Sequence, residues 1–239
     1  MRSIAIIPAR GGSKRIPRKN IKNFYGNPII KYSIDVAKKS GIFDEVMVST
    51  DDNEIAEISK EIGASIPFMR SKETSNDYAI IDDVIKEVIT NYRLIGKEFD
   101  YYCLIYPTAP FISENILREA MNTLCASKAG FLTPVVKFSY PPQRSFIIEG
   151  GFLKWRFPEY SKSRSQDLKE WYHDCGQFSA GRIDMLFNIE YSERERIPFI
   201  LSEEEVQDID TEDDWYRAEL KYELMLRKKL ENNLNNNMG

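Results

Sequence analysis

The sequence predicts an α/β fold: a mostly parallel, twisted sheet with helices on both faces. Three observations predict it. Strand-like and helix-like apolar patterns alternate through the first half of the chain, the order that builds a parallel sheet. The first apolar run, Ile4 to Ile7, is halted by Pro8 and runs into a loop with Gly11-Gly12. Polar groups then follow each later strand: Asp51, Arg70 and the turn Tyr106-Pro-Thr-Ala-Pro110. In parallel sheets ligands bind at the carboxyl ends of the strands, so these positions should converge on one edge.

The elements read in order as follows. Asn27-Pro28 suits a helix N-cap followed by proline at the first helical position, with Ile30, Ile34 and Ala37 at helical spacing and Gly41 closing the helix. Val46 to Thr50 reads as a strand. Ile55, Ile58 and Ile62 mark a second helix closed by Gly63, and Ser65 to Phe68 reads as a third strand. Ile81, Val84, Ile85 and Val88 give a third helix, and Tyr101 to Tyr106 a strand stopped by Pro107. Ser113 can cap a helix carrying Leu117, Ala120 and Leu124, and Gly130 to Val136 is another strand. From Lys137 the pattern changes. Two short aromatic-rich strands, Ser145 to Ile148 and Phe152 to Phe157, flank Gly150-Gly151, and 161–176 has little periodicity. Residues 138–178 therefore read as an excursion from the sheet. Asp213 to Leu230 is a charged terminal helix, and the asparagine-rich 232–239 reads as a disordered tail, leaving 1–231 as one domain.

Composition narrows the function classes. Apolar content of 42% and charged content of 29% are ordinary for a globular protein. The net charge of −4 argues against nucleic acid as a partner. No run approaches the roughly 20 apolar residues of a membrane span. The start leads directly into a strand, and Cys103, Cys125 and Cys175 are widely spaced, so a cytoplasmic protein with reduced thiols is expected.

Charge is distributed unevenly. The first 34 residues hold eight Lys or Arg and no Asp or Glu, which leaves −12, by subtraction from −4, on the other 205. Arg10, Lys14, Arg15, Arg18 and Lys19 all fall on the glycine loop. A basic glycine loop after a strand suits a polyanion such as a triphosphate, because backbone amides can approach and act with the cations. Neither the P-loop pattern nor the dinucleotide glycine fingerprint is present, which argues against an NAD-dependent oxidoreductase.

Ile7-Pro-Ala-Arg-Gly-Gly-Ser-Lys-Arg-Ile-Pro-Arg-Lys-Asn20 closely resembles the N-terminal signature of the acylneuraminate cytidylyltransferases. That resemblance implies a Rossmann-like nucleotidyltransferase fold of GT-A type, CTP and a nine-carbon acidic sugar as substrates, and a CMP-sugar and pyrophosphate as products. It implies that Arg10, Gly11, Ser13, Lys19 and Asn20 form the nucleotide loop, with Arg10 and Lys19 on the triphosphate, and that Arg70 faces the base or the phosphates. Tyr106 stands where the family's Gln-Pro-Thr-Ser-Pro has glutamine. Arg164-Ser-Gln-Asp-Leu168 resembles a family segment in which the guanidinium would take the sugar carboxylate, since it can donate two parallel hydrogen bonds; Gln166 belongs to it. His173-Asp-Cys-Gly-Gln-Phe178 most resembles the branch acting on pseudaminic acid, placing the lone His173 and Gln177 toward the sugar. Cys175 and Ser179 depart from that branch's pattern. The same reaction on N-acetylneuraminic or legionaminic acid is the near alternative, and a non-catalytic nucleotide-sugar binder the distant one.

Asp208 and Asp210 alternate along an extended segment, so both carboxylates should point one way and suit Mg²⁺ with phosphate oxygens and water. Thr211 and Asp214 alternatively form a capping box for the last helix. The resemblance assigns the aspartate pair to the metal. It also implies a homodimer, in which the 138–178 element helps to cover the partner's sugar site.

Overall fold

The computed structural model describes residues 2–236, with side chains through Glu231. Seven strands form the main sheet. β1 (Ser3–Pro8) pairs in parallel with β4 (Glu45–Ser49) and β5 (Tyr101–Ile105). β6 (Phe131–Lys137) pairs in parallel with β11 (Arg196–Ile200), while β10 (Phe178–Arg182) lies antiparallel between β5 and β6. β9 (Tyr172–Asp174) adds antiparallel to the far end of β6.

Burial explains the apolar run of β1. Ala5 and Ile7 join the core formed under helices α1 (Ile30–Ser40), α2 (Asn53–Ile62) and α5 (Glu114–Ala126). Ile4 and Ile6 face the opposite way, onto α4 (Ile81–Leu94) and α6 (Ile183–Leu186). A strand covered on both faces has no polar side to show. Asp52 caps α2 by accepting from the Ile55 amide at 3.0 Å, and Ser113 caps α5 by accepting from the Ile116 amide at 3.3 Å. Deep in the molecule, Arg194 makes a bidentate pair with Asp82 of α4 at 2.5 and 2.9 Å.

A third core cluster ties the chain's two ends together. Ile16 and Phe24 from the N-terminal loop region meet Ile209, Trp215 and Ala218 near the start of α7 (Glu212–Asn236). The Phe24 ring packs edge-on against Trp215 and Tyr222, with centroids 5.6 and 5.3 Å away. This cluster brings residues 16–24 beside residues 208–215.

The structure corrects several expectations. Asn27-Pro28 is not a helix start but β3 (Asn27–Pro28), which pairs with β2 (Asn23–Phe24) around Tyr25 and Gly26, both at positive φ. The helix begins at Ile30 without a side-chain cap. Ser65 makes one bridge to Met47, and no strand continues to Phe68 because Pro67 cannot donate to the ladder. The excursion is shorter than 138–178: Phe138 donates its amide to the Trp171 carbonyl at 3.0 Å, and β9 then rejoins the sheet. Within it β7 (Phe146–Glu149) and β8 (Phe152–Trp155) form a separate two-stranded sheet. The last helix continues through Asn236, since no Gly or Pro interrupts it; the expected tail beyond that, 237–239, lies outside the described residues. A short helix, α3 (Lys72–Ser75), was not foreseen.

Candidate active site

The loop after β1 borders a cleft of about 470 Å³. Pro8, Arg10, Ser13, Lys19 and Asn20 line it from the loop, and Tyr106, Pro107 and Thr108 from the end of β5. Arg70, Asp77, Ala79, Ile81 and Val84 form the opposing wall, and Asp210 closes one side. The adjacent carboxyl ends of β4, β1 and β5 thus build one site, as parallel-sheet geometry demands.

Carboxylates fix the loop from outside. The Gly11 amide donates to Asp51 at 2.9 Å. Arg18, in left-handed conformation at φ 55°, donates to Asp52 at 2.5 and 2.9 Å and also pairs with Glu54. The Arg18 guanidinium holds the Asp52 carboxyl at about 2, and burial opposes that shift. Asn20 is buried and donates to the Arg10 carbonyl at 3.0 Å, so it shapes the loop from within. A Cβ on Gly11 would stand 2.6 Å from an Asp52 oxygen, which is why the position takes glycine.

The cations meet acidic partners across the cleft. Arg10 and Lys14 both reach Asp77, at 3.0 and 2.5 Å. Lys19 donates to the Ile209 carbonyl at 2.5 Å and lies 3.4 Å from Asp210, which Arg15 also meets at 3.0 Å. Arg70 is buried; its Nε donates to the Ser49 hydroxyl at 3.0 Å and an Nη to the Ser49 carbonyl at 2.5 Å. Burial pulls its pKa down to about 10, against the pull of Asp51 and Glu87, so it stays charged at neutral pH.

Asp208 and Asp210 lie close enough to repel. Burial first, and then the Asp210 charge, raises the Asp208 pKa, and Lys19 lowers it. The capping box is also present: the Thr211 hydroxyl accepts from the Asp214 amide at 3.2 Å, while the Asp214 carboxylate accepts from the Thr211 amide at 2.9 Å. Thr211 and Asp214 therefore serve the helix, and neither Asp208 nor Asp210 is needed for the cap.

The expected sugar residues lie elsewhere. None of the residues lining the cleft comes from 138–178. Arg164 and Gln166 are exposed on the excursion. His173 is exposed on β9, its ring 4.8 Å from that of Phe138. Gln177 is fully buried, and its amide donates to the carbonyls of Cys175 and Gln207. Tyr106 is largely enclosed, and burial pushes its phenol up to about 12. Sequence reasoning missed Asp77 and the apolar wall of Ala79, Ile81 and Val84. No motif marks them; only the fold of residues 71–84 over the loop brings them in.

A mixed sheet covered by helices on both faces thus carries a cationic cleft at the carboxyl edge of its parallel strands, an arrangement suited to a polyphosphate. Residues 4–141 match the sequence model of the family described as Cytidylyltransferase. Over 231 residues the chain is 41% identical to the pseudaminic acid cytidylyltransferase of Campylobacter jejuni, covering 94% of this chain and 97% of that protein. It is 35% identical over 211 residues to the Helicobacter pylori protein named pseudaminic acid cytidylyltransferase and UDP-2,4-diacetamido-2,4,6-trideoxy-beta-L-altropyranose hydrolase, covering 87% of this chain and 40% of that one. The fold is shared with CMP:2-keto-3-deoxy-manno-octonic acid synthetase complexed with CTP, at a TM-score of 0.71 and 18% identity, covering 95% of this chain and all of that one. The chain belongs to the cytidylyltransferase family.

Proposed function

We propose that this enzyme transfers CMP from CTP to a nine-carbon acidic sugar, with pseudaminic acid as its substrate, and releases pyrophosphate. The observation that carries the reading is the cationic cleft, built by the matched segment 4–141 in a chain 41% identical to the Campylobacter jejuni enzyme along nearly its whole length. The sugar's anomeric hydroxyl attacks the α-phosphorus of CTP. One oxygen–phosphorus bond forms, the bond to the β-phosphate bridge breaks, and the hydroxyl proton leaves.

Arg10, Lys14 and Lys19 offer charge to the triphosphate once their present acidic partners give way. Ser13 and the backbone amides of the glycine loop add neutral donors. Arg70, held by Ser49, presents a charge that burial keeps under-solvated and therefore strong. Tyr106 and Asn20 shape the floor of the same site.

Asp208 and Asp210 fit Mg²⁺. Two adjacent carboxylates, one of them raised in pKa by burial and by its neighbour, gain from a nearby dication. Among the described residues no group of three or more His, Cys, Asp or Glu is placed to hold a metal, so the remaining donors would be phosphate oxygens and water. Mg²⁺ favours that mixture of one or two carboxylates with substrate phosphates. When bound, it supplies charge neutralisation at the phosphates.

On the sugar side we assign Arg164 to the carboxylate, with Gln166 and His173 beside it. These residues do not line the cleft of their own chain, which supports a homodimer in which each excursion completes the partner's site. No helix among the described residues is long and apolar enough to cross a membrane.

The test is pyrophosphate release with CTP, UTP, ATP or GTP, each paired with pseudaminic, legionaminic and N-acetylneuraminic acids. CTP with pseudaminic acid should give the highest kcat/KM. Equal turnover with UTP or ATP would overturn the nucleotide assignment, and a higher kcat/KM with another of the acids would overturn the sugar.

A further inference from the structure

We propose that Gly176 and Gln177 are positioning residues for Asp208. The turn after β9 seats the carboxylate against a glycine and ties down the peptide that precedes it. The inference rests on the reading of Asp208 as a Mg²⁺ ligand.

Two independent contacts point there. Gly176 has φ +62°, and a Cβ built on it would stand 3.1 Å from both Cγ and Oδ1 of Asp208. A side chain at Gly176 would press on the carboxylate and shift it by a few tenths of an ångström, so the bare glycine leaves the carboxylate its place. The Gly176 amide is itself held by Asp174 Oδ1 at 2.8 Å, so the turn is fixed from its other side.

The second contact is the Gln177 amide. It is fully buried, and Nε2 donates to the Cys175 carbonyl at 3.2 Å and the Gln207 carbonyl at 3.3 Å. Gln207 leads directly into Asp208. The other end of the amide, Oε1, is buried without a hydrogen-bond partner among the described residues. An unpaired buried acceptor is destabilising, and an apolar side chain of the same size would avoid that cost. What the amide contributes is the placement of its N–H groups, which join the turn to the segment carrying Asp208. The Gln177 carbonyl also accepts from the Tyr106 amide at 3.0 Å, so the same turn is registered on the end of β5 and the cleft floor. Losing a partner that orients a metal ligand typically costs about 10–100-fold in metal affinity.

Three variants of the full chain test this: Gln177→Met, which keeps the volume and removes the donors, Gly176→Ala and Asp208→Asn. Melting temperatures are measured with CTP alone and with CTP plus Mg²⁺, without sugar, and the Mg²⁺ dependence of turnover is measured separately. In wild type Mg²⁺ should add to the stabilisation given by CTP. In both turn variants CTP alone should still stabilise, the Mg²⁺ increment should shrink, and half-maximal turnover should require about 10–100-fold more Mg²⁺. A merely structural role would lower every melting temperature and leave the increment and the Mg²⁺ midpoint in place; that result in either variant overturns the assignment of its residue. If Gln177→Met does not fold, Gly176→Ala decides. Asp208→Asn separates the two readings. If it keeps the increment, the metal assignment falls and this proposal with it; if it loses the increment while the turn variants keep it, only the positioning role falls.

Discussion

Lys19 is the residue on which the two ends of the chain converge. Its ammonium lies between the Ile209 carbonyl and Asp210, although it belongs to the loop after β1. Lys19→Ala should remove a charge-assisted contact to the triphosphate worth about 1.5–3 kcal/mol, lowering kcat/KM by about 10- to 100-fold. The melting temperature should change little, because Phe24, Ile209 and Trp215 hold the two ends together without it; near wild-type kcat/KM would mean that the loop is not the phosphate site. Asp208→Asn and Asp210→Asn should each abolish Mg²⁺-dependent turnover, since a hard dication prefers a charged oxygen. Their melting should hold within a few degrees, because the cap of α7 is made by Thr211 and Asp214. Full activity of both variants across a Mg²⁺ titration would place the metal elsewhere. The residues of the basic loop were legible in sequence because charge, glycine and position after a strand all point one way. Asp77 was not, since a single aspartate in a polar stretch carries no pattern.

At the scale of elements, β4 and α2 act as the bracket of the phosphate loop. Asp51 takes the Gly11 amide, and Asp52 both caps α2 and holds Arg18. Asp52 has a folded-state pKa of about 2 against an ordinary 3.8, so its pairing stabilises the fold above pH 3.8 and is lost as pH falls through about 2. With solvent screening discounted, the contribution is on the order of 1 kcal/mol. Asp52→Asn keeps the cap, because asparagine caps as well as aspartate, but loses the charge. Its melting temperature should lie below wild type by a few degrees near pH 6, and the two curves should meet as pH approaches 2. A constant gap at every pH would show that Arg18 does not depend on the Asp52 charge. Elements whose residues repeat at one period, such as α2, α4 and α5, were legible in sequence. β10 and β11 were not. β10 is Phe-Ser-Ala-Gly-Arg, where Gly181 leaves room for Phe131 and Tyr102, and β11 carries Pro198, which is tolerated on the sheet's edge. Both owe their strand character to neighbours rather than to their own pattern.

At the scale of the whole molecule, one element is left uncovered by the other described residues. β7 and β8 form a two-stranded sheet apart from the main one, with Phe146, Ile148, Phe152 and Leu153 exposed. A lone hairpin is marginal in water, and four large apolar side chains on one short hairpin mark a contact surface. The chain's own cleft takes no residue from 138–178, although Arg164, Gln166 and His173 lie there. In the homodimer proposed above, a second copy would cover the hairpin and bring those residues to the partner's cleft. Sedimentation at micromolar concentration should therefore give a species of about twice 27.8 kDa. Replacing Ile148 and Leu153, directly opposed on one face of the hairpin, together by Lys should produce monomers, because charges buried in an interface without partners are costly. Those monomers should still bind CTP, whose cleft lies within one chain, and should lose turnover through a raised KM for the sugar. A 27.8 kDa wild-type species, or a monomeric variant with an unchanged sugar KM, would show that one chain carries a complete site and that the hairpin serves something else.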